Sequence, residues 1–242
     1  MLPEPKRRTL YGSARVALVD LTPDFFMRIK LIIFDFDGTL ADTFPSFVRV
    51  FDRAADKYGF KPLDRERQGI LRGLDARQIM AHHEIPLWKV PAIARFMRTR
   101  MADDIANIAL FAGIDQALRA LHAQGVMLTV VTSNAPANVR AILGPELLAL
   151  FSHVECGASL FGKPSKIRKV LAASAIAPRH AMLIGDEIRD ARAAADTGIG
   201  FGAVAWGFNH VDALAAQHPQ RIFRHVDDLL DLSPDTALLG RG

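Results

Sequence analysis

Apolar residues fall along this chain in two rhythms. Short unbroken runs at 31–34, 126–131, 181–184 and 199–204, with a weaker one at 153–156, are rich in branched or small residues. Runs of that length read as strands buried on both faces. Between them, apolar positions recur at helical spacing over 116–123, over 137–143 and from Pro164 to about Ser174. With a last short strand at Arg221–Phe223 and a closing helix, the alternation predicts a doubly wound α/β core around a parallel sheet.

The segment 44–111 breaks that alternation. It holds no strand signal, and Phe47, Val50, Phe51, Ala54 and Tyr58 line up as one helical stripe. Further helices are expected around 64–71, 76–83 and 90–107, punctuated by Pro62, Gly73 and Pro86. The reading is an all-helical domain of residues 44–111 inserted into a core made of 27–43 and 112–242. Residues 1–26 differ from both. They open with two prolines and Lys6, Arg7 and Arg8 and carry a short 16–19 apolar run, but no apolar stretch of signal-peptide length. A loosely ordered extension is expected there, with Met27 beginning the minimal domain and read also as a translation start.

Chemistry enters where the strands end. The first run stops at Asp35, Phe36, Asp37, Gly38 and Thr39. If the extension persists, the pleat puts Asp35 and Asp37 on one side, and Gly38 frees the chain to turn. Two carboxylates this close repel unless a cation compensates. That favours a magnesium site, a nucleophile paired with an acid, or both, over a solvated turn. A calcium loop needs further ligands where Leu40 and Ala41 stand. The second run ends in Thr132, Ser133 and Asn134, which suit either phosphate oxygens or a helix cap. Lys163 precedes a proline-started helix, where it and the helix amino end both favour an anion, although a solvated lysine is equally compatible. The 181–184 run ends in Gly185, Asp186, Glu187 and, four residues beyond Asp186, Asp190. Oxygen donors of that kind suit Mg²⁺.

Taken in this order, the four strand ends resemble the signatures of the haloacid dehalogenase-like hydrolases, whose commonest members are magnesium-dependent phosphatases. The match spans nearly all of residues 28–230, and the helical insert stands where one large subgroup carries its cap. The resemblance implies an aspartyl-phosphate mechanism. Asp35 is the nucleophile, and Asp37 is the acid and then the base. Lys163, with Lys166 as fallback, and Thr132 meet the phosphate. Mg²⁺ is held by Asp35, the Asp37 carbonyl and Asp186, with Asp190 next and Glu187 third. Ser133 supplies a backbone N–H and Asn134 completes that loop. Glu187 departs from the small hydroxyl residue many members have there. Halide-displacing relatives need no proton donor two residues after the nucleophile, so Asp37 argues for phosphate. The likeness is greatest to phosphoglycolate phosphatase-like members, which implies a small phosphorylated acid or sugar as substrate. A phosphomutase is the enzymatic alternative. A non-catalytic phospho-ligand binding protein is the other, and the retained nucleophile argues against it.

Composition narrows the rest. Of 242 residues half are hydrophobic, and no run reaches transmembrane length. One cysteine, Cys156, allows no intramolecular disulfide and fits a reducing, cytoplasmic setting as a small core residue. The net charge of +4 suggests an anionic ligand, but no basic block with interleaved aromatics points to nucleic acid. The insert carries twelve bases against eight acids, an excess equal to that of the whole chain. A basic lid over a phosphate site would attract an anion, whereas ordinary solvated helix faces would give the same count. Within it, the Arg72 to Arg77 turn is a candidate specificity loop, with Arg72 as a substrate-binding residue. His82 and His83 point apart on a helix and read as surface residues.

Overall fold

The computed structural model describes residues 29–63, 72–157 and 162–232. The N-terminal extension with Met27 and the 16–19 run, the expected 64–71 helix and Phe161 lie outside the described residues. Six strands form one parallel sheet: β1 (Leu31–Phe34), β2 (Met127–Val131), β3 (Phe151–Glu155), β4 (Ala181–Gly185), β5 (Gly200–Val204) and β6 (Arg221–Phe223). Their order is β3-β2-β1-β4-β5-β6, so the chain reverses direction across the sheet at β1. In such sheets the crevice at this switch point, at the carboxyl ends of the strands, is where ligands bind.

Period-two alternation builds a core on each face of the sheet. Ile32, Phe34, Leu128 and Val130 pack on one side against α4 (Ile114–Ala123) and α5 (Pro136–Leu148). Leu31, Ile33, Leu183 and Phe201 pack on the other against α6 (Gly162–Ser174), α7 (Ile188–Thr197) and α8 (Val211–Ala215). All four residues of β1 are fully buried, which is why the run reads as continuous rather than alternating. Two expectations are amended. The helix expected over 137–143 continues to Leu148 across a break at Gly144, whose φ of 67° lets Pro145 restart it. The closing helix is a 3₁₀ segment, Val226–Leu232.

The insert contains α1 (Phe44–Tyr58), α2 (Ala76–His82) and α3 (Val90–Asp103), followed by a 3₁₀ turn, Ile105–Asn107. Phe51, Ala54, Ala55, Phe60 and Ile93 give it a small core of its own. Its two connections to the sheet run side by side, with Ala41 bridged antiparallel to Leu110 and the Asp42 N–H donating to the Ala109 carbonyl at 2.9 Å. His83 corrects the surface reading. It is 1% exposed, its Nδ1 lies 2.8 Å from the Lys61 carbonyl and its ring meets Phe51 edge-on. Adjacent helical residues do point apart, and of the two only His82 faces solvent. No helix among the described residues is long and apolar enough to cross a membrane.

Candidate active site

Three strand ends deliver the site. Asp35 leaves β1 with its N–H bonded to the Ile184 carbonyl at 2.9 Å, and its Oδ1 accepts the Phe36 N–H at 2.8 Å. The chain then closes a tight turn in which the Leu40 and Ala41 amides both return to the Phe36 carbonyl. Gly38 makes the turn with φ 75°, and a Cβ there would collide with Asp186 Oδ2. The second acid, Asp37, stands just before this turn, near enough to Asp35 to feel its charge. Its carboxylate goes to Asn134, whose Nδ2 donates to Asp37 Oδ1 at 2.9 Å. Burial, and then the Asp35 charge, push the Asp37 pKa up to about 6 against the lowering effect of that bond.

The carboxylates that do converge on Asp35 are Asp186 and Asp190, one oxygen from each lying within 4.8 Å of the others. All three are at most 1% exposed. Asp186 accepts the Thr39 hydroxyl at 2.8 Å and the Phe208 N–H at 2.7 Å. Burial, followed by the charges of Glu187, Asp35 and Asp190, raises its pKa well above the carboxylate range. Lys163, on the first turn of α6, stands between the others, 2.8 Å from Asp35 Oδ2 and 2.5 Å from Asp190 Oδ1. Burial would lower its ammonium pKa, but the two carboxylates outweigh that and hold it above the ordinary lysine value. Asp190 keeps its second oxygen on the Glu187 N–H at 3.1 Å. Asp190 thus orients Lys163 and the start of α7, and Glu187 turns to Arg189 at 2.7 Å.

This donor set fits a small hard cation. Three buried carboxylates gather where one lysine pairs with two of them, Asp35 and Asp190, their ligand atoms are all oxygens, and Asp35 Oδ2 accepts no hydrogen bond even with Lys163 Nζ close by. Oxygen donors and an uncompensated charge of this kind suit Mg²⁺.

At the end of β2, Thr132 is buried and its Oγ1 accepts the Asn134 N–H at 3.0 Å, which leaves the hydroxyl proton free to donate. Ser133 is exposed at the mouth. Lys166 goes elsewhere, donating to the carbonyls of Thr132 and Gly157, so it braces this loop while Lys163 reaches Asp35. Cys156 is half-buried, and burial pushes its thiol pKa up, which keeps it in the unreactive protonated form.

Arg72 is placed differently from the substrate-binding role expected of it. Its Nε donates to the Phe208 carbonyl at 2.8 Å and one Nη to the Gly207 carbonyl at 2.5 Å. Asn209 returns the contact, donating to the Arg72 carbonyl at 2.8 Å. The guanidinium thus fastens the insert to the 206–210 loop. That loop packs Gly207 so tightly on Asp186 that a Cβ would overlap the carboxylate. Trp206, at the start of the loop, donates its Nε1–H to the Thr39 carbonyl at 3.0 Å.

Buried acids, a lysine and a hydroxyl, gathered at the carboxyl edge of a parallel sheet beneath a helical cap, define a phosphatase-type hydrolase. The chain belongs to the haloacid dehalogenase-like hydrolase family, whose model matches residues 32–204. It is similar to the phosphoglycolate phosphatase of Synechococcus elongatus, at 31% identity over 203 residues, covering 84% of this chain and 96% of that one. It is also similar to the N-acetylmuramic acid 6-phosphate phosphatase of Pseudomonas aeruginosa, at 27% identity over 220 residues, covering 85% and 95%. Among solved structures, a haloacid dehalogenase-like hydrolase from Streptococcus pneumoniae shares the fold with a TM-score of 0.71 at 24% identity, covering 84% and 97%.

Proposed function

We propose that the protein is a magnesium-dependent phosphatase that hydrolyses a small-molecule phosphate monoester through a phosphorylated Asp35. One observation carries this reading: Asp35 is buried at the end of β1, and its Oδ2 accepts no hydrogen bond while Lys163 Nζ stands 2.8 Å away. A carboxylate oxygen in that state is open to attack phosphorus while the lysine offsets part of the charge around it.

In the first step Asp35 attacks phosphorus and Asp37 protonates the departing alkoxide. In the second step Asp37, now ionised, takes a proton from the water that attacks phosphorus and releases Asp35. With a pKa of about 6, Asp37 can hold either state near neutrality, and Asn134 keeps it aimed at 2.9 Å. The Thr132 hydroxyl, the Ser133 N–H and Lys163 meet the equatorial oxygens, where charge accumulates. Asp35, Asp186 and the Asp37 carbonyl are the ligands proposed for Mg²⁺, which when bound neutralises phosphate charge that would repel Asp35. Asp190, with both oxygens engaged, holds Lys163.

The test is release of p-nitrophenol from p-nitrophenyl phosphate, with and without Mg²⁺, in the native protein and in Asp35→Asn. Turnover that needs Mg²⁺ and is lost in the variant is expected. Undiminished activity in Asp35→Asn would refute the nucleophile.

A further inference from the structure

Among the described residues, the cap turns an apolar wall to the site. Between cap and core lies a cavity of about 380 Å³ whose floor includes Asp37, Gly38, Ser133 and Asp186. Its cap wall is made by Phe47, Ile79, Met80, Ile93, Met97 and Met101. Among the described residues, no cap lysine or arginine lines it. Arg49 pairs outward with Asp104 and Lys61 with Glu84, Lys57 lies over the Phe96 ring, and Arg72 is spent on loop carbonyls. Among the described residues, the cationic side chain on the wall, Arg189, comes from the core and is paired with Glu187.

A second anionic group on the substrate, such as the carboxylate of a phosphorylated acid, would be desolvated against the methionine and phenylalanine side chains of this wall, where no unpaired cation stands among the described residues. An apolar group would meet matching walls, and methionines adapt to varied shapes. The volume falls in the range that encloses a whole small ligand, well beyond what a two-carbon acid fills. Resting on the phosphatase reading, we infer that the substrate is the phosphate monoester of an apolar alcohol, alkyl or aryl, whose hydrocarbon portion fills this cavity while its phosphate sits on Asp35.

The experiment compares kcat/KM for ethyl, butyl, hexyl and octyl phosphate and for phosphoglycolate, with Mg²⁺, in the native protein and in Met97→Lys. Each buried methylene is expected to raise kcat/KM about fourfold until the cavity is full, with phosphoglycolate falling below hexyl phosphate. Met97→Lys is expected to lower the octyl-to-ethyl ratio about tenfold or more, because the ammonium must be desolvated beside the tail. The ratio within each protein cancels any loss of folded enzyme. A flat series beside good turnover of phosphoglycolate overturns the inference and leaves the phosphatase reading standing. A rise that Met97→Lys leaves untouched overturns the assignment of the tail to this cavity. Turnover of none of the esters, nor of p-nitrophenyl phosphate, overturns inference and phosphatase reading together.

Discussion

Asn134 has one side-chain donor on Asp37 and its carbonyl oxygen on the Ala135 N–H and the Asn138 amide, so its orientation is fixed from both ends. If Asp37 is the proton donor, its loss must matter most for leaving groups that need a proton. Asp37→Asn is expected to slow alkyl phosphate turnover about 10²- to 10⁴-fold and to affect the nitrophenyl ester far less, since nitrophenolate leaves unaided. Asn134→Ala, which frees the carboxylate without removing it, should show the same selectivity at about ten- to a hundredfold. Equal losses for both esters would count against a proton-transfer role. Gly207→Ala is expected to cripple Mg²⁺-dependent turnover by displacing Asp186, at a stability cost of about 1–3 kcal/mol measured by denaturant unfolding. Thr132 and Lys163 stood out only through the family resemblance, whereas Asp35 and Asp186 were legible because each ends an apolar run near a glycine. Thr39, 147 residues from the Asp186 it bonds, and the Phe208 N–H were not, since nothing local marks a donor to a distant carboxylate.

At the scale of elements, the cap hangs on a few polar fastenings. Arg72 joins it to the 206–210 loop, and Arg72→Ala is expected to lower the melting temperature by about 5 °C, from one or two charge-assisted hydrogen bonds. It should also reduce kcat with little change in KM, whereas a substrate-binding arginine would raise KM. Asp104 ties α1 to the end of α3. It accepts Ser46 Oγ at 2.6 Å, the Asn107 amide at 2.7 Å and Arg49 at 2.5 Å, and these bonds, Ser46 first, hold its pKa well below the usual carboxylate range. A depressed folded value means the stabilisation is present above the unfolded pKa of about 4 and is lost as pH falls below it. Asp104→Asn should therefore lower stability at pH 7, by about 1 kcal/mol for so accessible a site, and the gap to the native protein should close as the pH drops toward 2. A gap independent of pH would assign the effect to packing instead. The first insert helix was readable from its apolar stripe, and α2 and α3 from the punctuation around them. The engagement of Arg49, Lys57, Lys61 and Arg72 away from the site was not, because a charge count does not say which face of a helix carries the charge.

For the molecule as a whole, a parallel sheet between helices and a cap hinged on paired crossings at Ala41 and Leu110 put the acids where cap and core meet. The strand order could be expected only through the resemblance, since alternation gives the layers and not the neighbours. The clustered charge of Asp35, Asp186 and Asp190 should make the fold sensitive to divalent cation. Mg²⁺ at about a hundred times its Kd is expected to add about 2.7 kcal/mol, or about 5–10 °C in melting temperature for a chain of this size. Asp186→Asn should abolish that response. The claim on which all this depends is that phosphate passes through Asp35. The most direct measurement is to quench the enzyme with acid during turnover, reduce any acyl phosphate with borohydride and find the modified residue by peptide mass. Homoserine at position 35 in the native protein, absent without substrate and absent in Asp35→Asn, is the expected result. Reduction at another carboxylate, or rapid turnover with no modified residue under conditions that accumulate the intermediate, would contradict it.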